Sequence, residues 1–273
     1  MNPVSLLRAS HLGPTLAVTG VAAALAVGDG QPRSGVAAVA VAVLSGQLAI
    51  GWTNDVVDAQ QDVAAARADK PVAMGTVSVE QVRVAAWVAL VVCVPMSLLL
   101  GVVAGLLHLV GVVGSGLLYD LRLKSSVWSW LPFAVAFGLL PAVVTWASVE
   151  PGWPPVWALA AGSLLGVSAH LVNTLPDLEV DADAGVSGLA HRLGRRGTRT
   201  ATAVTLTAAT LVLVLAPTGR PGLAGWTVLA VGAAAIAVAL GRPWPARSRT
   251  PFVLVAGVAV VDVVLLVTSG PLL

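Results

Sequence analysis

The chain has 273 residues, of which 57% are hydrophobic and only 10% are charged, whereas ordinary soluble domains carry roughly 25% charged residues. This composition excludes a typical soluble domain and indicates a chain that lies mostly within a lipid bilayer. The net charge of +2 does not indicate nucleic-acid binding, because the basic residues fall between apolar runs rather than on one soluble face. We therefore expect a single membrane domain over residues 1–273 that lies in the lipid bilayer and does not bind nucleic acid.

Apolar runs of about 17–25 residues are typical of helices that cross a hydrocarbon core about 30 Å thick. The pattern predicts an all-α, integral membrane bundle of about nine transmembrane helices. A tight turn near Gly101 is expected to divide one apolar stretch that is too long for a single crossing. In chain order, the predicted helices cover residues 12–28, 35–57, 82–101, 103–119, 127–148, 156–176, 199–217, 222–241 and 252–271.

The basic residues support this helix count independently. If the N-terminus is cytoplasmic, the segments after the second, fourth, sixth and eighth helices are cytoplasmic too. These segments and the N-terminus hold all of the 15 basic residues except Arg33 and Arg220. Because such an excess follows the positive-inside rule, we expect a multi-pass membrane protein with a cytoplasmic N-terminus.

A first acidic cluster ends the second predicted helix and reads Asn54-Asp55-Val-Val-Asp58-Ala-Gln-Gln-Asp62. Spacings of three and four residues place its three aspartates on one face of a helix. No basic residue lies among them, so the three charges would repel one another unless cations bridge them.

A second acidic cluster ends the sixth predicted helix and reads Asn173-Thr-Leu-Pro-Asp177-Leu-Glu-Val-Asp181. Asp177 and Asp181 again share a helix face, and Pro176 can end the preceding helix at the membrane surface. Two oxygen-rich clusters without histidine or cysteine suit Mg²⁺, which shares its remaining coordination positions with water and substrate phosphates. The sequence therefore predicts a site where bridging metal ions hold a diphosphate between the clusters. Cations that lie close enough in the sequence to contact its free oxygens are Arg67, Lys70, Lys124 and Arg192.

These motifs resemble those of the UbiA-type intramembrane prenyltransferase superfamily. Asn54-Asp55-x-x-Asp58-x-x-x-Asp62 matches the first aspartate-rich motif of that superfamily, and Asp177-x-x-x-Asp181 is similar to the second. The resemblance covers nearly the whole chain, since the superfamily also has nine helices with both motifs on the cytoplasmic side.

Two further segments resemble the same superfamily. Arg67-Ala-Asp-Lys70-Pro71-Val-Ala-Met-Gly75 is similar to the basic loop after the first motif, with Lys70 where many members have arginine. Tyr119-Asp-Leu-Arg-Leu-Lys124 resembles a Tyr-x-x-x-Lys element but contains one extra residue.

The resemblance implies Mg²⁺-dependent transfer of a prenyl group from an isoprenoid diphosphate to an aromatic or other lipophilic acceptor inside the membrane. It also implies roles for individual residues. The implied metal ligands are Asn54, Asp55, Asp58, Asp62, Asp177 and Asp181, of which Asp55, Asp58, Asp177 and Asp181 are the catalytic aspartates. The implied substrate-binding residues are Asn54, Arg67, Lys70, Tyr119, Lys124, Asn173 and Arg192.

Two alternatives stay open at this point. A membrane terpene cyclase of the same superfamily would ionise the same diphosphate but would lack polar groups for an acceptor. A cation-coupled transporter would need a polar path through the bundle, whereas few ionisable groups besides Asp262, His108 and His170 are predicted deep in the helices. The sequence indicates no oligomeric state, prenyl chain length or acceptor.

Three kinds of isolated residue are further candidates. Asp262 lies alone inside the ninth predicted helix, and an acid within a membrane helix is a functional hypothesis by default. His11 is expected at the membrane interface, with contact to an acceptor as the alternative. Few aromatic rings are available to stabilise a cation, and the candidates are Trp52, Trp87, Trp146 and Phe137.

Overall fold

The computed structural model describes residues 3–65, 67, 70–176, 178, 185–217, 221–241 and 250–268. In these residues the chain is helical, with turns and short loops between the helices. A short helix, α1 (Pro3–Arg8), precedes a bundle of longer ones. These are α2 (Leu12–Gly28), α3 (Arg33–Ala64), α4 (Val79–Leu98), α5 (Val102–Leu123), α6 (Leu131–Trp146), α7 (Val156–Thr174), α8 (Leu189–Leu215), α9 (Leu223–Gly241) and α10 (Thr250–Thr268).

Five of these helices are long and apolar enough to cross a membrane, namely α3, α4, α5, α7 and α8. The apolar stretches of α2, α6, α9 and α10 in the described residues are shorter. The prediction of an all-helical membrane fold is therefore confirmed. Nine crossings stay a prediction, because a shorter apolar helix spans the hydrocarbon core only where the bilayer thins or the helix ends reach the interface.

The turn predicted near Gly101 is confirmed. α4 ends at Leu98 and α5 begins at Val102, and Gly101 between them has φ 103°, a backbone conformation that glycine adopts without the steric cost of a side chain.

The start of α4 is fixed by a capping box, in which Ser78 Oγ accepts from the Gln81 backbone N–H and the Gln81 side chain accepts from the Ser78 N–H.

α3 is longer than the apolar run that predicted it. The run ends near residue 57, whereas α3 continues to Ala64, so the whole first acidic motif lies on one continuous helix. Hydropathy marks where a helix leaves the hydrocarbon core, not where its backbone hydrogen bonding ends. Residues 58–64 contain no glycine or proline that would break the helix.

The end of α5 explains the extra residue in the Tyr119 to Lys124 element. The Lys124 backbone N–H donates to the Tyr119 carbonyl at 2.9 Å, a hydrogen bond between residues five apart, and Tyr119–Leu123 form a π-helical turn. A π turn accommodates one more residue than an α turn. Tyr119 and Lys124 therefore keep the one-turn relationship that a four-residue spacing has in an α-helix.

α8 begins ten residues before the predicted start at residue 199. The basic segment that contains Arg192 and Arg195 was expected to be a loop, but it is helical. Gly194, with φ 66° and ψ 173°, interrupts the helix within this segment. The early start was hidden because the first turns of this helix are rich in charged residues, and the apolar run begins only after them.

The bundle is held together by closely packed helix pairs. α3 packs against α2 and α4, α6 packs against α7, and α7 packs against α8. Small residues allow the close approach of α6 and α7, since a Cβ atom added to Gly162 would lie 2.5 Å from the Phe137 carbonyl oxygen. Leu25 of α2, Val43 of α3 and Val143 of α6 belong to the main buried apolar cluster.

Candidate active site at the end of α3

The C-terminal half of α3 buries a carboxylate that two basic side chains contact. Asp55 is 1% exposed, and its Oδ1 accepts a hydrogen bond of 2.6 Å from Lys70 Nζ. His11 Nε2 lies 3.0 Å from the same oxygen and 2.9 Å from Lys70 Nζ. Asp55 Oδ2 is buried and has no hydrogen-bond partner among the residues that the structure describes. Lys70 thus supplies the countercharge that a buried carboxylate needs, and one carboxylate oxygen is left for a ligand.

The other two aspartates of the motif are also buried and close to lysines. Lys124 Nζ donates to Asp58 Oδ2, and Lys70 Nζ lies 3.8 Å from Asp62 Oδ2. The charge of Arg67 also acts on Asp62. No basic residue lies within the motif itself, and the tertiary structure brings in these lysines from outside it to balance the charges.

Asn54 connects the motif to an acid that the sequence did not single out. Its Nδ2 donates to Asp120 Oδ1 at 2.9 Å, and Asp120 is only 6% exposed. Asp120 Oδ2, like Asp55 Oδ2, is buried and finds no hydrogen-bond partner in the described part of the chain. The sequence offered one signal for this residue, its position directly after Tyr119 in a motif-like segment.

A cavity of about 230 Å³, which we call the main cavity, opens beside these residues. Asn54 and Asp120 line the end near the acidic motif, and Gln47 lies about two turns further along α3. The lining is otherwise largely apolar and includes Pro14, Ile50, Val112, Phe133, Ala136 and Phe137. Charged and polar groups at one end and apolar groups along the walls suit a ligand with an anionic head and a hydrocarbon tail.

A smaller cavity of about 100 Å³, the side cavity, shares Tyr119, Phe133 and Asn173 with the main cavity. The rings of Tyr119 and Phe133 meet edge to face with centroids 5.1 Å apart. His170, only 3% exposed, packs on Phe133 with centroids 4.9 Å apart and places Nε2 3.1 Å from Ser129 Oγ. The aromatic rings therefore form part of the wall of both cavities.

His11 reaches Asp55 because of an unusual backbone conformation before α2. Its φ of 54° and ψ of 57° are left-handed, a region that few residues other than glycine adopt. A Cβ atom added to Gly51 of α3 would lie 2.2 Å from the Ser10 carbonyl oxygen, so glycine is required where α3 passes this turn. The predicted interfacial role missed this contact, since nothing local in the sequence pairs residue 11 with residue 55.

The remaining residues that were predicted for the site differ in whether they line the cavities. Asn173 lines both cavities, in agreement with a place in the site. Arg192 is exposed and donates from Nε to the Ser187 carbonyl at 3.0 Å, so its predicted phosphate contact stays a prediction. Asp177 and Asp181 lie outside the described residues, and their roles stay predictions as well.

The donor atoms at this site fit a hard cation. Carboxylate oxygens are the ligands that Mg²⁺ prefers, and the free oxygens of Asp55 and Asp120 are of this kind. Within the described part of the chain, no three acidic, histidine or cysteine side chains converge to hold a metal ion. The described residues therefore offer carboxylate oxygens on α3 and α5 that could hold such an ion, and the second acidic motif lies outside the described residues.

A model of the UbiA prenyltransferase family matches residues 14–260. The chain belongs to the UbiA prenyltransferase family. The resemblance predicted from the acidic motifs is thus confirmed, and the matched residues include both motifs.

Solved structures of UbiA homologues share the fold. The apo structure of a UbiA homologue from Aeropyrum pernix K1 superimposes with a TM-score of 0.73 at 19% identity and covers 92% of this chain and 95% of that one. A UbiA homologue from Archaeoglobus fulgidus, solved with GPP and Mg²⁺ bound, has a TM-score of 0.68 at 14% identity and covers 97% of this chain and 99% of that one. At such identities the likeness shows the fold.

The chain also matches part of a curated relative. It is 35% identical over 108 residues to a lycopene elongase/hydratase from Halobacterium salinarum, a segment that covers 39% of this chain and 39% of that protein. The matched segment therefore spans well under half of the relative's length.

Proposed function

We propose that the protein catalyses Mg²⁺-dependent transfer of a prenyl group from an isoprenoid diphosphate to a lipophilic acceptor inside the membrane. The observation that carries this proposal is the junction, at the end of α3, of buried carboxylates and lysines with a cavity whose walls are largely apolar. Membership of the UbiA prenyltransferase family supports it, as does the GPP and Mg²⁺ bound to the homologue from Archaeoglobus fulgidus.

The metal ligands in this proposal are oxygen donors of the two acidic motifs, assisted by Asn54. In the first motif these are Asp55, Asp58 and Asp62, and in the second Asp177 and Asp181. Bound Mg²⁺ would neutralise charge on the oxygens of the leaving diphosphate. Asn54 holds Asp120 beside the main cavity, which keeps a further carboxylate oxygen close to the same end.

Lys70 and Lys124 are proposed to bind phosphate oxygens. Each ammonium group now contacts an aspartate of the first motif, so each already lies at the end of the cavity where a diphosphate would bind. Charge-assisted hydrogen bonds to phosphate are stronger than neutral ones. We infer that diphosphate and metal bind cooperatively, because the incoming phosphate offers the lysines a partner while the metal takes the carboxylates.

The reaction begins when the bond between the allylic carbon and the diphosphate oxygen breaks and both electrons leave with the diphosphate. The apolar walls exclude water that would capture the resulting allylic cation. Tyr119 and Phe133 line the main cavity, and their rings are proposed to attract positive charge there. A nucleophilic carbon of the acceptor then forms the new bond to the allylic carbon and loses a proton.

Polar groups away from the acidic end favour transfer over cyclisation. Gln47 and Thr15 both line the main cavity, on different helices from the aromatic rings. A cyclase needs no hydrogen-bonding partner for a second substrate, whereas an acceptor with a hydroxyl or carbonyl group requires one. We propose that Gln47 contacts the acceptor.

The direct test is diphosphate release by the purified protein in detergent. Geranyl, farnesyl and geranylgeranyl diphosphates are offered with Mg²⁺ or with EDTA, together with a panel of lipophilic acceptors. We expect metal-dependent release that requires an acceptor and that Asp55→Ala and Asp177→Ala abolish. Release without an acceptor, with a cyclic hydrocarbon as product, would identify a cyclase instead. No release with any donor would contradict the proposal and favour cation transport.

The single-domain organisation over residues 1–273 and the cytoplasmic orientation are also proposals. The distribution of basic residues supports a cytoplasmic N-terminus with the acidic motifs on the same side. The chain offers a simple labelling test, because its one natural cysteine, Cys93, is buried. Of cysteines introduced at Met74 and at Val149, which are both exposed, the first should react with a membrane-impermeant reagent from the cytoplasmic side and the second from the opposite side. Labelling of Met74→Cys from the outer side would contradict this orientation.

A further inference from the structure

We propose that Phe137 limits the length of the prenyl chain by closing the apolar end of the main cavity. The inference rests on the proposed function and adds to it the donor length and the residue that selects it. Phe137 lies in α6, away from the aspartates and lysines that would hold the diphosphate. Its role would be to stop the hydrocarbon tail rather than to take part in bond breaking.

A third cavity of about 120 Å³, the rear cavity, lies on the other side of Phe137. Among the described residues, Phe137 is the one that lines both the main and the rear cavity. The lining of the rear cavity is almost entirely apolar and includes Val21, Leu25, Leu165, Val263 and Leu266. A hydrocarbon tail could enter this space without exposing a charged group to it.

Three helices show that the rear cavity continues the main cavity away from the acidic motif. On α2 the lining passes from Thr15 to Leu25, and on α6 from Phe133 to Pro141. On α7, which runs toward the acidic end, Asn173 lines the main cavity and the rear cavity is lined from Val172 back to Gly162. The two cavities therefore adjoin at Phe137, and the rear cavity extends further from the acidic motif.

The backbone of Phe137 cannot retreat from this boundary. Cβ atoms added to Gly162 and Gly166 of α7 would lie 2.5 Å from the Phe137 carbonyl oxygen and 2.8 Å from its Cβ. α6 and α7 are thus in close contact at this residue, and tight packing leaves few alternative positions. The ring can change rotamer, but the Cα–Cβ bond that carries it is fixed.

The volumes relate the boundary to chain length. An apolar cavity of about 150 Å³ holds a benzene molecule, so the rear cavity of about 120 Å³ suits about one five-carbon isoprene unit. By the same measure the main cavity, with about 230 Å³, suits about two such units. The structure thus assigns to the wild-type protein a prenyl diphosphate of about two isoprene units. It assigns a prenyl diphosphate one isoprene unit longer to a variant without the Phe137 ring.

The test is binding of prenyl thiolodiphosphates with ten, fifteen and twenty carbons, in the presence of Mg²⁺, to the full-length protein in detergent. These analogues resist ionisation, so binding is measured without an acceptor. We expect the wild type to bind the ten-carbon analogue best. Phe137→Ala should shift the ratio of dissociation constants toward the fifteen-carbon analogue by up to about a thousandfold, since about five more carbons become buried. Phe137→Val gives a second, milder removal of the ring if the alanine variant is unstable.

Filling the rear cavity supplies the matched control. Ala259 lines the rear cavity but not the main cavity, so Ala259→Leu alone should leave the wild-type ratio unchanged. In combination with Phe137→Ala it should cancel the shift. An unchanged ratio in folded Phe137→Ala and Phe137→Val overturns the role of Phe137 while wild-type binding upholds the proposed function. Absence of binding by the wild type to every analogue overturns both.

Discussion

Asp55 and Asp262 are both buried aspartates in apolar helices, yet their surroundings differ. Asp55 contacts Lys70 and His11 at the polar end of the main cavity. Asp262 is fully buried and its Oδ2 lies 2.9 Å from Thr210 Oγ1. No ion pair involves Asp262 in the described part of the chain, and the described cavities are not lined by it.

The difference shows that burial of an acid does not by itself mark a functional site. Asp55 has a countercharge and adjoins space for a ligand. Asp262 instead accepts a hydrogen bond from Thr210 Oγ1, a hydroxyl that also lies 3.0 Å from the Leu206 carbonyl oxygen. This hydrogen bond links α8 and α10, and the functional role that the position of Asp262 suggested stays a prediction.

The largest effect is expected when asparagine replaces Asp55, and the same replacement at Asp262 provides the comparison. Asp55→Asn removes a carboxylate that in the proposed site would hold Mg²⁺ beside the leaving diphosphate, and we expect the rate of diphosphate release to fall by on the order of a thousandfold. Asp262→Asn should change it by less than about threefold, because the amide keeps the shape and a hydrogen bond to Thr210. Steady-state release assays on both variants provide the measurement, and equal losses would break the comparison.

A smaller effect is expected when the lysines are replaced. Lys70→Met and Lys124→Met each remove one charge-assisted hydrogen bond of about 1.5–3 kcal/mol, so we expect KM for the diphosphate to rise by roughly 10- to 100-fold. Arg83→Met is the matched control, because Arg83 is an exposed cation that pairs with Glu80. A change in the maximal rate without a change in KM would argue against phosphate binding by these lysines.

The hydrogen bond between Asn54 and Asp120 gives a further test of the metal site near Asp55. Asn54→Ala leaves Asp120 without its hydrogen-bond donor, and we expect the apparent affinity for Mg²⁺ to fall by about 10- to 100-fold, as for other groups that orient metal ligands. Mn²⁺ binding followed by electron paramagnetic resonance measures this without turnover. Metal affinity equal to that of the wild type would assign Asn54 a purely structural role.

The smallest effect concerns the link between α8 and α10. Asp262→Ala and Thr210→Val should each lower the free energy of unfolding by about 1–2 kcal/mol, and the double variant should lose less than the sum, since both remove the same hydrogen bond. Thermal unfolding in detergent checks the magnitudes. Fully additive losses in the double variant would argue against this hydrogen bond as the shared contact.

Much of the site could be predicted because it is encoded locally. Spacings of three and four residues placed Asp55, Asp58 and Asp62 on one helix face, and the structure buries all three on α3. Of the four rings proposed to stabilise a cation, Phe137 lines the main cavity, whereas Trp87 is 63% exposed. Periodicity in the sequence states which residues share a face, but it does not state which face meets a cavity.

By itself, the sequence determined the membrane environment, the helical class and the family, because hydrophobic length and motif spacing act within single helices. Only the tertiary structure decided the partners of the aspartates. Lys70, His11 and Asp120 reach the first motif from other segments of the chain. The boundary at Phe137 likewise exists because α7 glycines bring two helices into contact. Such contacts depend on the relative positions of helices that are far apart in the chain, and these positions follow from packing of the whole bundle.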